Sequence, residues 1–95
     1  MIIIETKQYL RTKKKILKRF VLKEKDIKST LKLFQENLKE PSLHYKKMTC
    51  KKDKNRYSIR VLNTQYRILM TVENDNAILA CVCDHDDYDI RNKGC

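Results

Sequence analysis

Two stretches in the first half of the chain place apolar residues at helical spacing. Over 11–21 and 26–40, apolar side chains recur on one stripe among lysines, which predicts two amphipathic helices. Asp26 is suited to cap the second helix and Pro41 to stop it. We expect the helices to pack as an antiparallel hairpin over one face of a sheet. The apolar stripes consist of Ile16, Leu17, Phe20, Val21, Ile27, Leu31, Phe34 and Leu38.

The other apolar residues follow an extended pattern. The run Ile2, Ile3, Ile4 favours a first strand, and after Pro41 the spacing changes from helical to alternating. This order predicts an α+β protein with an N-terminal strand, a two-helix hairpin and a curved, mainly antiparallel four-stranded region. A chain of 95 residues has room for one domain, which we place at 1–95. The later strands are predicted at 43–49, 57–61, 66–73 and 77–83, the last buried on both faces, with turns at 51–55, 62–65 and 73–76.

Charge is unevenly distributed along this pattern. Residues 1–56 contain 18 Lys and Arg against 6 Asp and Glu, whereas residues 57–95 contain 4 against 6. This excess of positive charge in residues 1–56 favours a negatively charged binding partner. The partner would be a polyanion such as nucleic acid, or an acidic protein that covers the same surface. The alternative is a lysine-rich helix face that is merely solvated. The candidate phosphate-binding residues are Lys13, Lys14, Lys15, Lys18, Arg19, Lys46, Lys47, Lys51, Lys52, Lys54 and Arg56.

Other function classes are excluded by what the sequence lacks. No apolar run approaches the roughly 18 residues that a membrane span needs, so we expect no membrane partner. The first residues lack the basic region of a signal peptide, which indicates a cytoplasmic protein. We therefore expect the four cysteines to be reduced thiols that pack as small apolar side chains. With Gly94 as the single glycine, no glycine-rich phosphate loop is available.

Metal chemistry is not favoured by the spacing of possible ligands. Cys81, Cys83 and His85 alternate along a predicted strand, which spreads them too widely for one zinc ion to bind all three. The aspartates at 84, 86, 87 and 89 lack the loop geometry of a dedicated cation site. We expect a protein that uses no metal and no cofactor.

An ordered set of short motifs resembles one protein family. Glu-Pro-Ser-Leu-His-Tyr-Lys-Lys-Met at 40–48 is followed by Arg-Tyr-Ser-Ile-Arg-Val at 56–61 and Tyr-Arg-Ile-Leu at 66–69. An Asn/Asp turn, an apolar strand, and then His85 and Tyr88 complete the series. This order is similar to the RelE/ParE toxin superfamily of bacterial toxin–antitoxin modules. The resemblance covers nearly the whole chain, although 60–66 is longer here than the usual tight hairpin of that family.

The resemblance implies a toxin that pairs with an acidic cognate antitoxin. RelE-like members cleave mRNA in the ribosomal A site, so this relationship implies an endoribonuclease whose partners are the ribosome and mRNA. ParE-like members instead inhibit DNA gyrase and have no nuclease activity. A third alternative is an inactive relative that retains antitoxin binding alone.

Metal-free RNA cleavage needs an acid and a base for proton transfer and cations over the phosphate. His85 is the candidate acid or base, because an imidazole titrates near neutral pH. Arg60 and Arg67 match arginines on adjacent strands of the family, and Arg60 is our choice to stabilise the transition state. Tyr88 matches the C-terminal tyrosine and would stack on a base or orient the phosphate. His44 is a second possible acid or base, and each of these residues also has a purely structural alternative.

Overall fold

A computed structural model describes residues 1–20, 22–50 and 52–83 of the chain. Within them, one strand and two helices precede a short 3₁₀ turn and four further strands. The elements are β1 (Ile2–Glu5), α1 (Lys7–Lys18), α2 (Glu24–Glu36), the 3₁₀ turn (Pro41–Leu43), β2 (Lys46–Lys47), β3 (Arg56–Arg60), β4 (Arg67–Glu73) and β5 (Asn76–Cys83).

The strands form one five-stranded mixed sheet in the order β1-β5-β4-β3-β2. β1 pairs parallel to β5, and every other neighbouring pair is antiparallel. The predicted α+β class and element order are therefore confirmed. The first strand joins the four later strands at the edge of the same sheet.

Helix α1 begins four residues earlier than its apolar stripe predicted. Thr6 caps it, because the Thr6 hydroxyl accepts a hydrogen bond from the Tyr9 amide at 3.1 Å. The same hydroxyl donates to the Leu79 carbonyl at 2.7 Å, which ties the start of the helix to β5. The helix ends at Lys18, and Phe20 adopts a left-handed conformation (φ 56°) just beyond it.

The ends of α2 differ from the prediction. The helix starts at Glu24 after Lys23, so Asp26 lies in the first turn and is not the cap. It stops at Glu36, before Pro41 is reached, and Pro41 instead opens the 3₁₀ turn. The acidic first turn still complements the positive end of the helix dipole.

The predicted strand at 43–49 is mostly wrong. Leu43 is buried as the last residue of the 3₁₀ turn, and His44 has a left-handed backbone (φ 49°). Neither conformation is compatible with a strand, so pairing begins only at Lys46 and β2 has two residues. The strand predicted at 57–61 is confirmed as β3, and Tyr57, Ile59 and Val61 all contact the core.

The main core lies between the two helices and one side of the sheet. Tyr9, Ile16, Ile27 and Phe34 from the helices meet side chains from all the long strands. Thr30 adds a polar link, because its hydroxyl accepts a hydrogen bond from the Leu62 amide at 3.0 Å. The buried strand residues of this core are Ile59, Val61, Ile68, Met70, Ala77, Leu79 and Val82.

A bulge in β5 places Cys81 and Cys83 on the side of the sheet that faces away from the helices. Met70 pairs with Leu79 and Leu69 pairs with Cys81, which leaves Ala80 as an extra residue. Leu79 and Val82 therefore face the helices, whereas Cys81 and Cys83 join a second, smaller apolar cluster with Leu69. Burial on both faces, as predicted for this strand, is found at this end of β5.

Candidate nucleic-acid interface

The helices cover one side of the sheet, and the other side has a different chemistry. Side chains alternate along a strand, so Ile59 and Ile68 point toward the helices while Arg60 and Arg67 point away. We call the side turned away from the helices the far face. Its side chains, on or next to β2–β5, include Lys46, Met48, Arg56, Ser58, Arg60, Arg67, Leu69, Thr71, Cys81 and Cys83.

Two arginines stand opposite each other on this far face. Arg60 of β3 and Arg67 of β4 are direct cross-strand partners, and both are half-buried. The Nε atom of Arg60 is buried and takes part in no hydrogen bond within the described residues. Like charges placed directly opposite in a sheet destabilise it, so an anion between them would relieve the repulsion. Guanidinium groups bind phosphate oxygens through pairs of parallel hydrogen bonds.

A shallow depression of about 360 Å³ adjoins Arg60. His44 lies at its rim, and it is held there by the left-handed backbone that follows the buried Leu43. The His44 amide donates to the Pro41 carbonyl at 3.1 Å, which closes the 3₁₀ turn. The depression thus has an imidazole and the half-buried Arg60 in its lining. Its lining residues are Ser42, His44, Arg60, Asn63, Thr64 and Gln65.

The connection between β3 and β4 forms one wall of this depression. The Thr64 hydroxyl donates to the Val61 carbonyl at 2.8 Å and accepts from the Tyr66 amide at 3.1 Å. Asn63 takes a left-handed conformation (φ 62°) within the turn. The wide turn predicted at 62–65 is confirmed, and these hydrogen bonds give it a defined shape.

A second depression, of about 380 Å³, lies at the other end of the short strand β2. Lys47 and Lys54 lie on its rim with Met48, Thr49 and Cys50. Lys46, Lys47, Lys52 and Lys54 are all exposed. This end of the sheet therefore presents a group of lysines close to the basic far face.

Two predicted phosphate ligands are engaged inside the protein. The Nζ atom of Lys13 lies 3.8 Å from a carboxylate oxygen of Glu5 and 3.6 Å from one of Glu24. Arg56 Nε lies 3.5 Å from Asp53 Oδ2, and the same carboxylate accepts a hydrogen bond from Thr71. These carboxylates partly neutralise both cations.

The other basic residues of α1 lie on the opposite side of the sheet from the arginine pair. Lys14, Lys15, Lys18 and Arg19 are exposed on or just after this helix. A matching stripe on α2 was not predicted, and its residues Lys25, Lys28 and Lys32 are also exposed. Their spacing of three and four residues was the signal that could have revealed it. The molecule therefore has two separate basic surfaces, and the arginine pair of one of them comes from outside the basic half 1–56.

Three predicted site residues lie outside the described residues. They are the candidate acid or base His85, the tyrosine Tyr88 and the lysine Lys51. Of the predicted catalytic set, the structure describes Arg60 and Arg67 and brings them together.

The aromatic residues near the depressions are built into the core. The rings of Tyr45 and Tyr57 stack with centroids 4.9 Å apart, and Phe34 packs against Tyr45 at 5.6 Å. Burial raises the pKa of Tyr45 above its usual value, and the neighbouring Tyr57 adds to the rise. Tyr45 is therefore a supporting residue beneath β2 and is poorly suited to act as a base.

The cysteines differ from the expectation of reduced thiols. Cys81 and Cys83 are joined by a disulfide, and Cys50 is also disulfide-bonded. Cys81 and Cys83 can pair because alternate residues of a strand lie on the same face. Among residues 1–20, 22–50 and 52–83, no three His, Cys, Asp or Glu side chains gather as a metal site would require.

Comparison with known proteins gives a likeness in fold. No protein-family model matches the sequence, and a search of curated proteins found no match. A copper-bound mutant toxin from Helicobacter pylori has a similar structure, with a TM-score of 0.74. The two chains are 12% identical, and the match covers 92% of this chain and 97% of that one. The protein therefore has the fold of a bacterial toxin. Within its described part, no helix is long and apolar enough to span a membrane.

Proposed function

We propose that the protein is the toxin of a type II toxin–antitoxin pair, of the RelE-like kind that cleaves mRNA on the ribosome. The observation that carries the proposal is the cross-strand pair Arg60 and Arg67 on the far face of a toxin-like fold. A half-buried pair of like charges is expected to stabilise the fold little and to suit the binding of a phosphate. The ordered motifs of the sequence support the same conclusion.

The arginine pair would act on the charge that develops during cleavage. The 2′-hydroxyl of the RNA attacks the adjacent phosphorus, the bond to the 5′-oxygen breaks, and a 2′,3′-cyclic phosphate forms. Negative charge accumulates on the non-bridging oxygens in the transition state, where fixed guanidinium groups stabilise it. Arg60 is the better placed of the two, because it borders the depression beside His44.

Proton transfer needs one group to accept the 2′-hydroxyl proton and another to protonate the leaving 5′-oxygen. His44 and Arg60 line the same depression, so His44 is the candidate among the described residues. His85 is the candidate from sequence. Substituting each histidine separately by alanine would assign the role, because loss of an acid or base lowers a rate by about 10²–10⁴-fold.

The helix side of the molecule is the proposed surface for an acidic antitoxin. Exposed lysines of α1 and α2 supply charge complementarity, and Phe20 is 94% exposed beside them. A large apolar side chain left in solvent amid basic residues suits an amphipathic acidic partner.

Primer extension on one mRNA in a reconstituted translation reaction tests the proposal. We expect cuts within translated codons when ribosomes are present and no cuts on the same mRNA without them. An intact mRNA and undisturbed translation would contradict the proposal. In that case DNA breaks on expression in cells would indicate gyrase as the target, and unimpaired growth would indicate an inactive relative.

A further inference from the structure

The disulfide between Cys81 and Cys83 closes a very small ring within one strand. The two residues are separated by Val82 alone, and their Cα atoms are 6.0 Å apart, within the usual range for a disulfide. Each side chain is 1% exposed, and Leu69 and the half-buried Met48 pack against the pair. From this position we infer that Cys81 and Cys83 are a reversible redox site whose state sets the affinity of the arginine pair for anions.

The disulfide between Cys81 and Cys83 is expected to contribute little to the stability of the fold. A disulfide stabilises a protein mainly by restricting the unfolded chain, and the stabilisation is smaller when fewer residues are enclosed. This ring encloses a single residue, and hydrogen bonds to β4 already fix that part of β5. The fold should therefore persist with the bond open or closed, as a reversible site requires.

The pair is adjacent to the proposed phosphate site. Cys83 is the cross-strand partner of Arg67, and Arg67 is the partner of Arg60, so the three residues form one row across β5, β4 and β3. Direct cross-strand neighbours on one face have Cβ atoms about 4.5–5.5 Å apart. A change in charge at position 83 therefore changes the electrostatic potential at the guanidinium groups of Arg67 and Arg60.

The two redox states differ in charge. The disulfide is neutral, whereas in the reduced protein the neighbouring Arg67 guanidinium favours the thiolate of Cys83 against the burial that favours its neutral thiol. A thiolate at position 83 would pair with Arg67 and compete with a bound phosphate. The oxidised protein should thus bind an anion more tightly than the reduced protein.

Interconversion requires a dithiol, either a small molecule or a protein. Because Cys81 and Cys83 are each 1% exposed, the exchange takes place during local opening of the strand. A thiolate of the reductant then attacks one sulfur atom, the bond between Cys81 and Cys83 breaks, and a mixed disulfide forms. The second thiol of the reductant then releases the protein, which leaves two cysteine thiols and one oxidised reductant. The exchange moves two electrons and runs backward when the oxidised reductant is in excess.

Peptide mapping of the full-length protein tests reversibility. Trypsin cuts after Arg67 and Arg91, and the peptide 68–91 contains Cys81 and Cys83 but neither Cys50 nor Cys95. The folded protein is equilibrated with reduced or oxidised dithiothreitol, quenched with acid, freed of the reagent and unfolded in urea before labelling. N-ethylmaleimide should then add two groups to this peptide in the reduced sample and none in the oxidised sample. Two groups in both samples, or none in both, would overturn the proposal.

Coupling to the arginines is tested by the side-chain Nε–H signals of Arg60 and Arg67 in nuclear magnetic resonance spectra. These signals should move between the two redox states, whereas that of Arg11 on α1 should not. The variant carrying both Cys81→Ala and Cys83→Ala should show no redox-dependent shift, and circular dichroism confirms that it folds. Unchanged Arg60 and Arg67 signals in a wild-type protein with a confirmed redox change would overturn the coupling.

The effect on affinity depends on the proposed function and is measured with a labelled oligoribonucleotide. We expect binding about fivefold tighter in the oxidised protein, the effect of one charge near 4 Å in water. Equal or weaker binding in the oxidised protein overturns the coupling to affinity. An absence of binding in both states counts against the proposed function, and the arginine signals still decide whether the redox state reaches the site.

Discussion

Tyr9 is a buried residue with a shifted pKa that lies outside the candidate nucleic-acid interface. Tyr9 belongs to α1, its ring is fully buried, and its hydroxyl has no hydrogen-bond partner within the described residues. Burial raises the pKa of Tyr9 well above its usual range, and the nearby Glu5 and Glu24 raise it further. The folded protein therefore keeps this hydroxyl protonated.

Replacing Tyr9 by Phe should change how stability depends on alkaline pH. The folded pKa lies above the unfolded value of about 10, so the contribution of Tyr9 is complete below pH 10 and is lost as the pH rises toward the folded pKa. The wild-type protein should thus lose about 1.4 kcal/mol per pH unit in that window because of this group, and Tyr9→Phe should not. At pH 7 the variant should be about 1–3 kcal/mol more stable, because it buries no unsatisfied hydroxyl.

Urea unfolding at pH 7 and at about pH 11 measures both effects. Tyr66→Phe is the matched control, since Tyr66 is half-buried at the edge of the same core. The same alkaline loss of stability in wild type and Tyr9→Phe would contradict the assignment.

The residue type alone does not show which lysines form ion pairs within the protein and which are exposed to solvent. Lys13 and Lys14 are adjacent in one basic run, yet Lys13 contacts Glu5 and Glu24 while Lys14 is exposed. Those carboxylates come from β1 and α2, and their approach depends on tertiary structure. Strand alternation and a family-like motif mark Arg60 and Arg67 as candidates from sequence, and the structure places them opposite each other.

At the scale of elements, the strands with clear alternation were predicted well. β3, β4 and β5 lie within one residue of their predicted starts, because their apolar and polar positions differ strongly in burial. The stretch 43–49 failed because it contains a single deeply buried residue, Leu43, which a 3₁₀ turn buries as well as a strand would. A left-handed backbone such as that of His44 cannot be predicted from the spacing of apolar residues.

The turn between β4 and β5 offers a test of this element. Asn74 and Asp75 both have left-handed backbones, with φ values of 48° and 66°. Side chains with a Cβ atom resist this conformation, and glycine at the second position is preferred in such hairpins. Asp75→Gly should therefore stabilise the protein by up to about 1 kcal/mol, and Asp75→Ala should destabilise it.

Thermal unfolding measures the difference, with Glu73→Gly as the control. Glu73 is the last residue of β4, where glycine should weaken the strand. Destabilisation by Asp75→Gly as large as that by Glu73→Gly would show that the turn does not limit stability in this way.

For the whole molecule, the sheet divides the positive charge between two sides. The sequence reveals the excess of basic residues in 1–56 but not this division, since it depends on where the helices pack. The far face carries the arginine pair, and the helix side carries the lysines of α1 and α2. Under the proposed function, the two surfaces would bind RNA and an acidic partner through different residues.

Salt dependence should distinguish these two surfaces. Each phosphate contact to single-stranded RNA contributes about −0.7 to the slope of log affinity against log salt. Lys46→Gln on the far face should reduce the steepness of that slope, whereas Lys14→Gln on α1, with the same loss of charge, should leave it unchanged. Oligoribonucleotide binding over a series of salt concentrations measures the slopes, and equal changes in both variants would contradict the division.

The most direct test of the account compares two arginine substitutions in the translation-dependent cleavage reaction. Arg60→Gln removes a cation from the far face, and Arg11→Gln removes one from the exposed side of α1. We expect cleavage to fall about 100-fold in Arg60→Gln and to stay near the wild-type rate in Arg11→Gln. Equal cleavage by the two folded variants would contradict the assignment of the arginine pair as the site.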